Sequence, residues 1–426
     1  MIIHVVEQGE TASSIARKYD VSVERLIREN EINSPDNLVI GETLVVLFPS
    51  ETYTIQEGDT LQGIADMFDV SVMQLLRNNP YLSDRENIYP GETIVIRYED
   101  NKIRQITTNG YAYPFINRDI LKKTLPFLTY LSIFSYMAND EGELQDIDDE
   151  EIIEIAKQYN VAPIMMITPS GERDVDEINV IHSILGHEET QDYFIENILS
   201  ILRKKGFYGV NLTTKYILPS DRELYVAFLI KFSSRVKSEG FKVFNTFLLN
   251  TFEIITYTTY REIDYEKISE AIDGFMIISY ELGYSIGFPI NTIAYDVLIN
   301  FFASIVTQVP SEKLILGVPI IGYIWSLPYE AGYTRGRAIT YNSAVDLARE
   351  EGVNIDFDNI TKAAYFRYTS TNEFVVRFPD ARSVDAYLNL LLEFNLNGVV
   401  IWNIMFFFPQ LWLIINSQYE IEKLII

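Results

Sequence analysis

The stretch "TQDYFIENILSILRKKGFYGVNLTTK", residues 190–215, decides the fold. Its first half repeats apolar side chains at helical spacing, and the glycine at position 206 ends that pattern. The apolar run "YGVNLT" that follows predicts a buried strand. A strand of this kind ends in Thr213, Thr214 and Lys215, and the carboxyl ends of the strands are where an α/β barrel carries its chemistry.

Further apolar runs that predict strands follow residue 101, and helical stretches separate most of them. The runs are "RQITTNGYA", "TYLSIFSYM", "APIMMITP", "KVFNTFLL", "GFMIISYEL", "KLILGVPI" and "GVVIWNI". Strands alternating with helices over about 320 residues predict an α/β fold, a (β/α)₈ TIM barrel over residues 101–426. The segment from about 331 to 380 is too long for a simple connection, and it predicts a small α+β insertion on the rim of the barrel.

The first 98 residues contain an internal repeat. "VEQGETASSIARKYDVSVERLIRENE" matches "IQEGDTLQGIADMFDVSVMQLLRNNP" at a constant offset of 49 residues. Each copy reads strand, helix, helix, strand, so the sequence predicts two βααβ modules, residues 1–49 and 50–98. Thr11 and Thr60 stand where a threonine caps the first helix of each copy.

Both copies resemble the LysM module from end to end. The resemblance implies binding of N-acetylglucosamine polymers, peptidoglycan or chitin, between the first strand–helix loop and the second helix–strand loop. The loop residues are Glu10, Thr11, Ala12, Leu38, Val39 and Ile40 in the first copy, and Asp59, Thr60, Leu61, Ile88, Tyr89 and Pro90 in the second. The alternative is that the glycines, threonines and prolines serve only as turn residues.

Composition excludes several classes of protein. The 60 acidic residues exceed the 34 basic ones and give a formal charge of −26, which disfavours binding to nucleic acid and to anionic membranes. There is no cysteine, and the three histidines do not have the spacing of metal ligands, so no metal or other cofactor is expected. Residues 398–415 are apolar but contain Asn403, Pro409 and Gln410, which favours a buried strand and loop over a membrane helix.

Residues 101–416 resemble family 18 glycoside hydrolases, in particular the LysM-bearing spore cortex-lytic N-acetylglucosaminidases of spore-forming bacteria. The matching segments include "TNGYAYPFIN", "LTYLSIFSY", "ISYELGY", "PSEKLILGVPIIGYIW", "FPDARSV" and "NGVVIWNIMFFFPQLWLI". The resemblance implies association with the spore coat, spore cortex or cell wall. The N-terminus lacks the pattern of a secretory signal peptide, so we expect synthesis in the cytoplasm.

The family motif at the end of the fourth strand is only partly present. The resemblance aligns Asn211 with a retained position, Thr213 with the aspartate that orients the substrate's acetamido group, and Lys215 with the glutamate that acts as general acid. Lysine, with a usual pKa of about 10.4, is poorly matched to that proton transfer, and threonine carries no negative charge. These positions predict a catalytically inactive barrel.

Other cleft positions of the family are retained. The resemblance aligns Tyr280 and Glu281 with residues that position the acetamido group and reaction centre, and Trp402 with the aromatic floor under the sugar. The alternative for Tyr280 and Trp402 is a place in the barrel core. A second sequence, "GVNIDFDN" at residues 352–359, is similar to the missing motif, but its position within the insertion indicates a turn and edge strand.

Three hypotheses follow for function. The first is a non-catalytic, spore- or cell-wall-associated structural protein that binds glycan through its repeats and self-assembles through an apolar rim at residues 282–290 and 404–413. The second is an N-acetylglucosaminidase of spore cortex peptidoglycan that works through Glu281 or another carboxylate. The third is a lectin that binds muropeptides in a vestigial cleft.

Overall fold

The computed structural model describes residues 1–83, 85, 87–99, 102–171, 174–214, 217–248, 263–279, 295–330 and 333–424. The first repeat consists of β1 (Ile2–Val5), α1 (Ala12–Lys18), α2 (Val23–Asn30) and β2 (Thr43–Val46). The second consists of β3 (Pro49–Thr54), α3 (Leu61–Phe68), α4 (Val72–Asn78) and β4 (Thr93–Tyr98). In each repeat the two strands pair antiparallel, which confirms the predicted βααβ order.

The predicted helix caps of the repeats are also confirmed. The Thr11 hydroxyl accepts a hydrogen bond from the Ser14 amide at 3.2 Å, and the Thr60 hydroxyl accepts one from the Gly63 amide at 3.0 Å. Such a cap satisfies an amide that has no partner within its helix. Each repeat then closes around a small apolar core of its own, which includes Ile15 in the first and Ile64 in the second.

A closed eight-stranded barrel follows the repeats. Its strands are β5 (Arg104–Ala112), β6 (Tyr130–Ala138), β7 (Ala162–Pro169), β8 (Gly209–Thr214), β9 (Lys242–Leu248), β10 (Gly274–Ile278), β11 (Leu314–Pro319) and β17 (Gly398–Trp402). All eight neighbouring pairs are parallel, and β17 pairs with β5 to close the ring. The TIM barrel predicted from the sequence is therefore confirmed. A short ninth strand, β18 (Tyr419–Ile421), adds to the first residues of β5.

Helices surround the barrel and bury its outer face. They are α5 (Arg118–Thr124), α6 (Glu150–Gln158), α7 (Asp174–Gly186), α8 (Glu188–Lys205), α9 (Arg222–Ser238), α10 (Tyr265–Ala271), α11 (Tyr295–Ile305), α13 (Ala381–Glu393) and α14 (Pro409–Gln418). Short 3₁₀ turns lie at Pro80–Leu82, Leu125–Phe127, Pro219–Asp221 and Ser311–Lys313. None of the helices described in these ranges is long and apolar enough to cross a membrane.

An insertion between β11 and α13 forms a separate five-stranded sheet. Its elements are β12 (Gly322–Leu327), β13 (Arg337–Ile339), α12 (Tyr341–Glu350), β14 (Asp356–Asp358), β15 (Ala363–Thr369) and β16 (Glu373–Phe378). The strand order is β13-β12-β16-β15-β14, so β14 is an edge strand. We refer to residues 322–378 as the insertion sheet.

The two repeats pack against the barrel through buried contacts. The Gln410 side chain accepts a hydrogen bond from the Thr43 hydroxyl at 3.0 Å, and Asn416 donates one to Asn78 at 2.9 Å. Within the barrel domain, Trp412 of α14 stacks on Phe127 at 5.2 Å between ring centroids. The prediction of an exposed apolar rim at residues 404–413 is wrong, since Ile404, Phe408 and most of α14 are buried against other parts of the chain. The other predicted part of the rim, residues 282–290, lies outside the described residues. Residues 398–415 form strand β17, a turn and the first part of helix α14, whereas the sequence predicted a strand and a loop.

Candidate active site

The interior of the barrel holds a neutral hydrogen-bond network. The Asn211 amide donates to the Tyr111 hydroxyl and to the Thr246 hydroxyl, each at 2.9 Å, and the Thr246 hydroxyl lies 3.0 Å from the Asn211 carbonyl oxygen. Beside it, the Ser132 hydroxyl donates to Asn109 at 3.0 Å. Asn211 is fully buried in the barrel interior.

Burial keeps this network uncharged near neutral pH. It raises the pKa of the Tyr111 phenol far above its usual range, although hydrogen bonds from Thr246 and Asn211 act in the opposite direction. Met276 contributes its thioether sulfur, 3.2 Å from the Tyr111 hydroxyl. The network therefore acts as a set of oriented dipoles and not as a source of protons near neutral pH.

Thr213 lies one inward-facing position beyond Asn211 on β8. Side chains alternate along a strand, and Leu212 between them packs into the outer apolar cluster. Thr213 is buried, and its hydroxyl has no hydrogen-bond partner among the residues that the structure describes. Leaving a buried hydroxyl without a hydrogen bond costs on the order of 1–3 kcal/mol in the free energy of folding. The Thr213 hydroxyl is therefore available to hydrogen-bond a bound ligand.

Aromatic rings cover the network at the carboxyl end of the barrel. Trp402 packs on Tyr111 at 5.3 Å and edge-on against Phe134 at 4.8 Å. Tyr113 contacts both Trp402 and Phe134, and Phe115 stacks on Tyr113 at 5.2 Å. We call these five rings the aromatic ladder. Trp402 is only 4% exposed whereas Phe115 is 75% exposed, so the ladder leads from the barrel core to solvent.

Sequence reasoning singled out Trp402 alone among these rings. A signal was present, because Tyr111, Tyr113 and Phe115 alternate at the end of a predicted strand, and such spacing places side chains on one face. The position of Phe134 beside Trp402 had no such signal, since the two residues are far apart in sequence.

Three of the predicted cleft residues lie outside the described residues: Lys215, Tyr280 and Glu281. The competing motif at residues 352–359 can be placed. Asp358 is in β14 of the insertion sheet and pairs with Arg377 at 2.9 Å, and Asp356 precedes it in the same edge strand. These carboxylates therefore belong to the insertion sheet and not to the barrel end.

The predicted glycan-binding residues of the repeats occupy two different environments. Glu10 and Asp59 each accept a hydrogen bond from a backbone amide of their own loop, and Thr11 and Thr60 cap helices. Tyr89 and Pro90 are exposed, and Leu61 and Ile88 are half-buried. In the first repeat Val39 is buried in a cluster shared with the barrel, Leu38 is half-buried, and the Ile40 carbonyl accepts a hydrogen bond from the insertion.

The barrel with its insertion sheet and the two βααβ repeats each match a known protein family. The profile of Glycosyl hydrolases family 18 matches residues 95–406, and that of the LysM domain matches residues 4–47 and 53–97. The chain belongs to glycosyl hydrolase family 18 and carries two LysM domains.

Similar proteins match this chain over nearly its whole length. The chain is 33% identical over 432 residues to the "Cortical fragment-lytic enzyme" of Bacillus subtilis (strain 168), covering 99% of both chains. It is 31% identical to the protein of that name from Bacillus anthracis, again covering 99% of both. The crystal structure of the Bacillus megaterium QM B1551 spore cortex-lytic enzyme SleL superposes with a TM-score of 0.81 at 28% identity, over 99% of this chain and 98% of that one.

These comparisons correct the functional hypothesis drawn from the motif. The expectation of a non-catalytic structural protein is wrong, because the relatives that share the full domain arrangement are named as lytic enzymes. The prediction of an inactive barrel rested on Thr213 and Lys215 alone, and the second hypothesis, an active enzyme, agrees better with the names of these relatives.

Proposed function

We propose that this protein is a glycoside hydrolase that cleaves cortical fragments of spore peptidoglycan at N-acetylglucosamine residues. The observation that supports it is the end-to-end match to cortical fragment-lytic enzymes, at 33% identity with 99% of both chains covered. Association with the spore or cell wall follows from this substrate. The aromatic ladder agrees with the proposal, since the exposed ring of Phe115, stacked on half-buried Tyr113, offers an apolar face to a sugar ring.

The reaction proposed is hydrolysis assisted by the substrate's own acetamido group. The acetamido oxygen attacks the anomeric carbon, the bond to the glycosidic oxygen breaks, and a carboxylic acid protonates the leaving oxygen. Water then opens the cyclic intermediate. The protein must hold the acetamido group and supply one acid.

We assign the acid to Glu281, on the sequence alone. It follows the predicted sixth strand of the barrel, and strand ends from different parts of a barrel meet at one face. We assign to the Thr213 hydroxyl a hydrogen bond to the acetamido group, because this buried hydroxyl has no other partner among the described residues. Trp402 and Tyr111 lie beneath the sugar in this arrangement.

The repeats are proposed to hold the enzyme on its polymer. LysM domains imply binding of glycans that contain N-acetylglucosamine, and a tethered enzyme meets cleavable bonds at a raised effective concentration. Self-association is not part of this proposal, because residues 404–413 are largely buried within the chain.

Release of reducing ends from purified cortical fragments tests the proposal. Wild-type protein should release them, and Glu281→Gln should lower kcat by about 10²–10⁴-fold, the usual effect of removing a general acid. Glu189→Gln, on the exposed face of α8, is the matched control and should keep full activity. Binding without any cleavage by the wild-type protein would contradict the proposal in favour of a lectin.

A further inference from the structure

The loop between the second helix and the closing strand faces solvent in the second repeat and is packed against the rest of the protein in the first. The loops align with Gly41 over Gly91, so Leu38, Val39 and Ile40 correspond to Ile88, Tyr89 and Pro90. In the second repeat this loop faces solvent, and Tyr89 is 57% exposed. In the first repeat Val39 is 6% exposed and packs in the cluster that also contains the barrel core. Two loops of the same sequence pattern therefore cannot offer the same surface.

The backbone of the first loop is already hydrogen-bonded to the insertion sheet and its neighbours. The Ile355 amide, directly before edge strand β14, donates to the Ile40 carbonyl at 2.9 Å. The Arg349 guanidinium donates to the Asn37 carbonyl at 2.8 Å, and that of Arg382 donates to the Gly41 carbonyl at 3.2 Å. A carbonyl that accepts from the protein is a poorer acceptor for a sugar, and a glycan would have to break these contacts first.

The fit between this loop and the insertion is close. Gly41 has φ +88°, and a Cβ atom added there would lie 1.8 Å from the Ile355 carbonyl oxygen. Gly91 has the equivalent φ of +91°, yet a Cβ atom added there would meet no atom within 4 Å. The two glycines thus share the same turn geometry and differ only in what lies against them.

We propose that in the intact protein only the second repeat binds glycan, and that the first repeat is a brace that holds the insertion sheet in place. The insertion sheet occupies the side of the first repeat where a sugar would contact residues 38–41. The glycan site is then the loops around Asp59–Leu61 and Ile88–Pro90, open to solvent. This inference rests on the proposed function in one respect, that the repeats bind N-acetylglucosamine polymers.

Hydrogen exchange of the full chain with and without chitotetraose tests which repeat binds. We expect slower exchange in residues 57–61 and 87–92, and no change in residues 8–12 and 37–42. Slower exchange in residues 37–42 would overturn the inference and leave glycan binding by the repeats intact. No protection in either repeat would overturn both, while the reducing-end assay reports on catalysis independently.

Retention on peptidoglycan sacculi is a second test of whether the loop at Tyr89 binds glycan. Tyr89→Ala should reduce retention of the full chain at least tenfold. Met67→Ala removes another exposed side chain of the same repeat, on α3, and should leave retention unchanged. Equal retention of Tyr89→Ala and wild-type protein would count against a binding site at the second loop.

The glycine pair tests the brace. Gly41→Ala and Gly91→Ala introduce the same backbone strain, but only Gly41→Ala forces the loop away from Ile355. We expect faster hydrogen exchange of residues 353–358 in Gly41→Ala and not in Gly91→Ala. If the two variants leave exchange in the insertion sheet equally unchanged, the first repeat does not brace it.

Discussion

A buried ion pair joins the end of α8 to the loop before α6. Lys205, at the end of α8, donates to Asp146 at 2.6 Å, to Asp149 at 2.8 Å and to the Ile147 carbonyl at 2.7 Å. Asp149 also accepts from the Tyr136 hydroxyl at 2.7 Å and has no exposed side-chain surface. Among the described residues, these are the hydrogen-bond partners of the ammonium and of the carboxylate.

Lys205→Met should therefore destabilise the fold strongly. Removing one partner of a buried ion pair leaves the other charge uncompensated and costs about 3–5 kcal/mol in the free energy of unfolding. Urea denaturation measures this loss. Lys204→Met, on the exposed side of the same helix turn, should change the free energy of unfolding by less than about 0.5 kcal/mol. If both variants lost a similar free energy of unfolding, the loss would come from any substitution at this end of helix α8 and not from breaking the buried ion pair.

Glu29 gives a second residue-scale prediction, for pH. Its side chain is 6% exposed at the junction of the repeats, and burial raises its pKa to about 7, although Arg25 and the Tyr98 hydroxyl act in the opposite direction. A carboxyl with a raised pKa in the folded state favours folding at low pH. This contribution is complete below the usual pKa of about 4.5 and is lost as pH rises through about 7.

Glu29→Gln should remove that pH dependence. Between pH 4.5 and pH 7 the free energy of unfolding of the wild-type protein should fall by on the order of 3 kcal/mol more than that of the variant. The size follows because one pKa unit corresponds to about 1.4 kcal/mol. Urea denaturation at several pH values measures the difference. Glu24→Gln, at an exposed position of α2, is the control. A difference between wild-type protein and Glu29→Gln that is constant with pH would contradict the assignment.

At the scale of elements, the loop after β5 carries the outer end of the aromatic ladder. Phe115 is exposed and stacked on Tyr113, so truncating it removes a ring without opening the core. Phe115→Ala should raise KM for cortical fragments by about 2–10-fold, taking roughly 0.5–1.5 kcal/mol for one ring contact. Phe115→Ala should leave kcat almost unchanged, and also the hydrolysis of a short chromogenic N-acetylglucosaminide. A short substrate would contact only the inner rings of the ladder and would not reach Phe115.

Tyr193→Ala removes an exposed ring from α8, away from the barrel end, and is the matched control for Phe115→Ala. If both variants give the wild-type KM on long fragments, the ladder ends at Tyr113 and Phe115 takes no part in substrate binding.

Elements with local signals could be predicted from the sequence, and those that depend on distant contacts could not. The caps at Thr11 and Thr60 and the strand containing Asn211 follow from neighbouring residues. The burial of residues 404–413 does not, because Trp412 is covered by Phe127 and Gln410 by Thr43, which are hundreds of residues away in the chain. The acid of the proposed reaction could be named from the sequence only as an alternative, Glu281, since a motif on one strand gives no information about the ends of the others.

At the scale of the whole molecule, the repeats and the barrel should unfold together. Buried polar contacts cross the boundary at Thr43 and Gln410, at Asn78 and Asn416, and at Arg77, which donates to the Pro126 carbonyl at 3.2 Å. Deleting residues 1–98 would leave these barrel groups without their partners and expose apolar surface on α14.

We therefore expect one calorimetric transition for the full chain and a lower Tm for the barrel without its repeats. Binding of a fluorescent apolar dye by the shortened protein would report the exposed surface on α14. Two well-separated transitions in the full chain, with an unchanged Tm for the isolated barrel, would show that the repeats are independent of it.

The contact between Thr43 and Gln410 joins residues 367 positions apart, and Ser417 lies against Met1 at 3.0 Å. The first repeat is therefore synthesised well before α14, which covers its docking face. Such non-local closure is slow relative to local folding and leaves apolar surface open during synthesis. Nascent chains stalled before residue 409 should hold a folded first repeat that is still accessible to protease at residues 39–44, and protection should appear only once α14 has emerged.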